Sequence, residues 1–182
     1  MERCAWAITT ELMKTYHDEE WGKPLHDDQA LFELLILETM QAGLSWATIL
    51  AKRENYRKAL DGFDPYQIAH YDQKKIEELL SNPGIIRNKL KVASLLKNAT
   101  AFLNVQQEYG TFDQYIWSFV EGKPIIHHFD SMKQAPTKTE LSITISKEMK
   151  KRGFTFFGPV TCYAFMEAAG LVNDHIDQCS FK

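Results

Sequence analysis

Residues 27–63 read DDQALFELLILETMQAGLSWATILAKRENYRKALDGF. An aspartate, Asp27 or Asp28, opens an apolar run whose period is helical rather than alternating, and Gly43 stands just past its end. Ser45 then caps a second helix. The same punctuation continues downstream. Asp64 followed by Pro65 is a cap with proline at the first helical position. DQKKIEELLSN (72–82) is a fourth helix, stopped by Pro83 and Gly84, and residues 87–110 form a long fifth ended by Gly110. FDQYIWSFV (112–120) is a short sixth. Thr137 and Glu140 match a capping box for a helix through Lys151, and GPVTCYAFMEAAG (158–170) is a last apolar helix closed by Gly170. Between them, residues 121–136 hold Gly122, Pro124, His127, His128 and Pro136 and read as a surface loop. No alternating strand pattern of any length is present. The expected architecture is all-α. A continuous helical lobe spans about 30–118, and residues 1–29 and 119–182 build a second lobe together within one domain, 1–182.

The composition supports a folded chain: 182 residues, 45% hydrophobic and 12% aromatic. No apolar run approaches the roughly 20 residues that span a bilayer, and MERCAWAITT lacks the basic-then-apolar plan of a signal peptide. A soluble, intracellular protein is the expectation, as is a monomer, since no dimer helix stands out. Three cysteines are too few for a disulfide framework. The net charge of -3 speaks against a uniformly basic nucleic-acid binder, so any DNA contact needs a local patch. Two exist: Arg87, Lys89 and Lys91, and Lys147, Lys150, Lys151 and Arg152. Each reads equally well as a solvated helix face.

Four soft ligands sit at the chain's two ends: Cys4, His17, His175 and Cys179. A helical turn would put His175 and Cys179 on one face. Two thiolates and two imidazoles suit a closed, structural zinc site. Such a clip would offset the loop-closure entropy of nearly the whole chain. The spacing matches no short zinc-finger pattern, and lone histidines and buried free cysteines are common, so both readings stand. Cys162, inside an apolar helix, reads as core.

Glu38 shares a helix face with Leu34 and Leu35. A carboxylate on a buried face is costly and its pKa rises, which marks a functional candidate. The alternative is an acid paired with a buried arginine or with backbone amides. Glu33 points elsewhere, toward solvent. Trp6, Tyr16, Trp21 and Trp46 crowd the same part of the chain, either as core or as a base-stacking pocket, with Trp21 on the core side. The Pro83-Gly84 turn joins two helices, and amides at the start of the second could hold a DNA phosphate, supported by Arg87 and Lys89.

ERCAW (2–6), YHDEEWG (16–22), LETMQAGLSWATILAKRENYR (37–57), NPGIIRNKLK (82–91), KKRGFTFFG (150–158) and GLVNDH (170–175) together resemble the bacterial 3-methyladenine DNA glycosylase I family, over residues 2 to about 179. The resemblance implies a helix-hairpin-helix DNA glycosylase fold with a zinc-clipped terminal lobe. It implies one structural zinc on Cys4, His17, His175 and Cys179, and Glu38 as the catalytic acid of a base pocket lined by Trp6, Tyr16 and Trp46. It places the DNA backbone on the hairpin at Gly84, Arg87 and Lys89. The implied substrate is double-stranded DNA carrying alkylated adenine, with free 3-methyladenine as product and an abasic site left behind.

Some positions depart from the pattern. Met13 stands where relatives place an aromatic residue, and Ile86 takes the second glycine position of the superfamily hairpin. Asn88 falls where backbone-cutting members carry a nucleophilic lysine, which implies a glycosylase without lyase activity. Residues 85–107 contain no Asp or Glu, so the superfamily's catalytic aspartate is missing. A cationic methylated base leaves as a neutral molecule and needs little acid catalysis, which makes that absence chemically reasonable. Two rivals explain fewer residues. A zinc-stabilised binding module without chemistry leaves Glu38 buried for no reason, and a metallohydrolase needs an open metal position.

Overall fold

The computed structural model describes residues 1–182. Nine helices carry the fold: α1 (Glu11–Glu19), α2 (Asp28–Gln41), α3 (Trp46–Ala59), α4 (Pro65–Ala69), α5 (Gln73–Ser81), α6 (Lys89–Tyr109), α7 (Phe112–Ser118), α8 (Glu140–Lys151) and α9 (Pro159–Ala168). The expected caps form. Asp27 accepts from the Ala30 amide, Ser45 from Thr48, Asp64 from Tyr66 and Gln67, and Asp72 from Lys75. α2 buries every residue from Leu31 to Met40 except Glu33, so it is apolar all round and runs through the centre. Phe32 of α2 meets Phe102 of α6 at 4.8 Å, and Phe102 stacks on Phe112 of α7 at 4.5 Å.

A second, smaller apolar cluster holds Cys4, Met13, Tyr16, Trp21, Leu50 and Cys179. It joins the two ends of the chain. Ser180 donates its amide to the Glu2 carbonyl, and Glu2 donates to the Ser180 hydroxyl.

In its helices and loops the structure departs from the sequence reading at several points. The N-terminal segment forms α1 and a 3-10 turn at Ala5–Thr9, neither of which the apolar period reveals in so short a stretch. The cap of α8 is Thr139, which pairs reciprocally with Ser142, rather than Thr137 with Glu140. α6 begins at Lys89 because the Asn88 side chain caps it. The 121–136 loop is anchored by a two-residue parallel bridge, β1 (Ile125–Ile126) on β2 (Val172–Asn173), too short to leave an alternating pattern. Glu33 does not face solvent freely: it binds Arg53 and Arg57, and only 12% of its side chain is exposed.

Candidate base pocket and terminal metal cluster

α1, α2, α3 and α9 converge on a cavity of about 320 Å³. Its wall comes from Trp6, Met13, Tyr16, Trp21, Glu38, Gln41, Trp46, Met132, Ala164 and Glu167. The structure therefore brings Trp6, Tyr16, Glu38 and Trp46 into one pocket. Trp21 joins them at its edge while remaining buried core. The Tyr16 and Trp46 rings lie 5.4 Å apart, and Trp6 stands edge-on to Trp21 at 4.9 Å. The Trp46 indole Nε1 is buried and has no partner within the chain, so its N–H is available to something inside the pocket.

Glu38 is 3% exposed and receives no hydrogen bond from any protein group. Burial pushes its carboxyl up to about 8. The alternative of a buried acid satisfied by arginine or amides is thereby removed. Burial, with the Glu38 charge next in size, also holds the Tyr16 phenol well above its usual range, so it is a hydrogen-bond donor at neutral pH.

The sequence reading passed over Glu167. It lies in CYAFMEAAG as a single acid in an apolar helix, the same signal that marked Glu38 in LFELLILETM. It is half-buried, and its carboxyl is raised well above the usual range, first by desolvation, then by the charges of Asp174 and Glu38 and by a side-chain hydrogen bond with Asp174. Met132, from the 121–136 loop, also reaches the wall. Its loop is tied down where His127 Nδ1 meets Asp174 at 2.6 Å. Asp174 is fully buried and also accepts from the Tyr163 hydroxyl at 2.6 Å.

Behind the pocket, ligand atoms of Cys4, His17 and Cys179 lie within 4.8 Å of one another. Cys179 Sγ is 3.5 Å from His17 Nε2. His17 Nδ1 donates to Asp18 at 2.8 Å, and Arg3 clamps Asp18, holding its carboxyl down at about 2. His175 stands beside this group, its ring 4.8 Å from that of His17. His175 Nδ1 donates to Asn173 at 2.9 Å, while its Nε2 is buried without a partner. Both imidazoles are thus held through Nδ1, with His17 Nε2 turned to Cys179 Sγ and His175 Nε2 unpartnered, the arrangement by which outer partners orient metal-binding histidines. Burial pushes the Cys4 thiol up to about 11, so a thiolate there requires a cation beside it. His175 and Cys179 do not share a helical turn: residues 174–181 form irregular turns. Gly22 allows the approach, since a Cβ there would sit 2.8 Å from His175 Cε1. The donor set fits a tetrahedral cation of zinc's preferences.

The hairpin between α5 and α6 is internally braced. Gly84 donates its amide to Asn82 Oδ1 at 2.8 Å, and Ile86 donates to the Tyr56 hydroxyl at 3.1 Å. Arg87 and Lys89 are exposed. Asn88 already accepts from the Leu90 and Lys91 amides, so two of the helix's free donors are satisfied within the chain. Lys91 leaves the basic patch altogether. It is buried, and its Nζ donates to the Met40 and Ala42 carbonyls at 2.7 and 2.6 Å, closing the end of α2. In the second basic group, Arg152 binds Glu108 and Lys151 binds Glu148.

Residues 6–182 match the family described as methyladenine glycosylase. The chain is 47% identical over 180 residues to a DNA-3-methyladenine glycosylase of Haemophilus influenzae, covering 99% of this chain and 97% of that one. It is 45% identical over 179 residues to DNA-3-methyladenine glycosylase 1 of Escherichia coli, covering 98% and 96%. Among solved structures, a tyrosine-to-phenylalanine variant of 3-methyladenine DNA glycosylase I in complex with 3-methyladenine superposes with a TM-score of 0.96. That protein is 38% identical, with 100% of this chain and 98% of the other covered.

Proposed function

The chain belongs to the methyladenine glycosylase family, and on that premise we propose that it excises 3-methyladenine from alkylated DNA in base-excision repair. It hydrolyses the N-glycosidic bond, releases the free base and leaves an abasic site. The observation that carries this reading is the pocket itself: a buried, unpaired Glu38 among the rings of Trp6, Tyr16 and Trp46.

The target base is flipped out of the duplex at a cost of a few kcal/mol, less when it is damaged. Aromatic faces of Trp46 and Trp6 stack on it and attract its positive charge. Glu38 accepts from the base edge, and Tyr16 donates to it. A normal purine, neutral and without the methyl group, gains less. As the bond to the sugar breaks, the base becomes neutral and positive charge moves to the sugar, where water attacks. Glu38 is the residue to which we assign catalysis. No lysine nucleophile is available at the hairpin, where Asn88 caps α6 and Lys91 is bound to backbone carbonyls, so we read the enzyme as a glycosylase without lyase activity.

We read residues 1–182 as one domain. Cys4, His17, His175 and Cys179 would hold a structural zinc, and four protein ligands leave it no open position for substrate. Gly84, Arg87 and Lys89 face the DNA backbone in this scheme.

The deciding assay is chromatography of bases released from DNA treated with a methylating agent. Wild-type protein should release 3-methyladenine, and Glu38→Ala should not. Release by both would remove Glu38 from the mechanism; release by neither would reject the glycosylase reading.

A further inference from the structure

The pocket wall contains two carboxyl groups and no lysine or arginine. Glu38 comes from α2 and Glu167 from the last full turn of α9. Glu38 has no hydrogen-bond or ion-pair partner in the chain, and the only partner of Glu167 is another acid, Asp174. The charged neighbours that act most strongly on Glu167 are both acids, Asp174 and Glu38. Asp174 also accepts from His127 and Tyr163, which hold it in place beside Glu167. The carbonyl end of a helix adds further negative potential where Glu167 sits. Half-buried Glu167 and buried Glu38, with Asp174 behind them, oppose one another's ionisation. Glutamine could donate to Asp174 equally well, so that bond and the packing do not by themselves call for an acid. What repays the arrangement is a cation entering the pocket, since it lowers the cost of ionising either acid, whereas a neutral ligand of the same shape gives no such return.

We propose that Glu167 is a second specificity-determining residue of the pocket, one that selects bases carrying positive charge over neutral bases of the same shape. The proposal rests on the base-pocket reading above. N3-alkylation of a purine in DNA creates such a cation, so the ligand class is N3-alkylated purine nucleotides. Glu38 is buried in the floor and can meet the base edge. Glu167, on a different helix, sets the electrostatic sign of the site from a second direction.

The test measures binding and needs no turnover. The zinc-loaded protein is titrated with 3,9-dimethyladeninium, which carries a fixed positive charge, and with its neutral isostere in which N3 is replaced by carbon. Quenching of the pocket tryptophans reports occupancy. Wild type should prefer the cation. Glu167→Gln, which keeps the shape, should bind the cation about fivefold more weakly and the neutral isostere within twofold of wild type. Unchanged neutral binding also shows that the variant is folded. Parallel weakening of both ligands would reduce Glu167 to a packing residue and overturn the proposal. So would cation affinity within twofold of wild type, or a wild type with no preference. Base release, measured separately, reports on the glycosylase reading: a protein that prefers the cation but releases no base would reject that reading and leave the selectivity standing.

Discussion

Replacing Glu38 with glutamine should stabilise the free protein, and the gain should grow with pH. Burial raises the Glu38 carboxyl from 4.5 to about 8. The folded state therefore holds a proton between those values that the unfolded state has already lost. Stability falls as pH rises through that window and is level above it. About 3.5 pH units at about 1.4 kcal/mol each sets a ceiling near 5 kcal/mol. The pocket opens to solvent, and water reaching the carboxylate relieves much of this, leaving about 2 kcal/mol. In a domain of this size that is about 4–8 °C in Tm. The experiment is thermal unfolding of both proteins, followed by circular dichroism from pH 5 to pH 9. Glu167 contributes a slope of its own to both curves, so the difference between them reports Glu38. The two should nearly coincide at pH 5 and separate steadily, with the glutamine variant higher at pH 9. Parallel curves, or a variant that melts lower at pH 9, would mean that Glu38 is satisfied or solvated in the folded protein. The case for an acid held ready for a ligand would then collapse.

Other consequences can be measured directly. Native protein should contain about one zinc per chain, and a strong chelator should lower its Tm by several degrees; metal-free protein of full stability would refute the terminal clip. Lys91→Met keeps the stem but strands the Met40 and Ala42 carbonyls, so urea unfolding should show a loss of about 2–3 kcal/mol; a loss under about 0.5 kcal/mol would show that water replaces the ammonium. At Gly170, φ is +71° and a Cβ would lie 2.2 Å from the Lys23 carbonyl carbon, so Gly170→Ala should cost about 2 kcal/mol or more in the same assay; an unchanged midpoint would contradict the packing of α9 against residues 22–25.

Much of the fold was legible because its signals are local. A cap at Asp27, Ser45, Asp64 or Asp72 needs only the next three amides, and the sequence displays it. The same locality explains the errors. Thr137 and Thr139 offer the same chemistry two residues apart, and only the approach of Ser142 decides between them. β1 and β2 are 47 residues apart and two residues long, so nothing in either announces the other. Lys91 looked like part of a basic patch because its two acceptors lie 51 and 49 residues earlier in the chain. Of the site, Glu38 was visible as a charge in an apolar run. The convergence of Trp6, Tyr16 and Trp46 upon it needed either the family resemblance or the structure. Glu167 carries the same mark as Glu38, but it lies on a helix 129 residues further on, and nothing local in the sequence joins the two.

The pocket and the Cys4–His17–Cys179 group are joined through one helical turn. Tyr16 lines the pocket, and His17, the next residue of α1, turns to Cys4 and Cys179. Trp6 extends the same coupling, lying 6.3 Å from Tyr16 and 5.2 Å from His17. A short helix of nine residues is marginal alone, and here it must hold an aromatic wall against a cavity lined by two acids. The ends of the chain supply what the cavity withholds. Residues 2–6 and 173–182 pack behind α1 through Arg3–Asp18 and the Cys4–His17–Cys179 group, and the Ser180 amide ties the two chain ends to each other at the Glu2 carbonyl. The acids of the pocket and the packed chain ends thus belong to one design, in which the wall that faces the ligand is braced from behind.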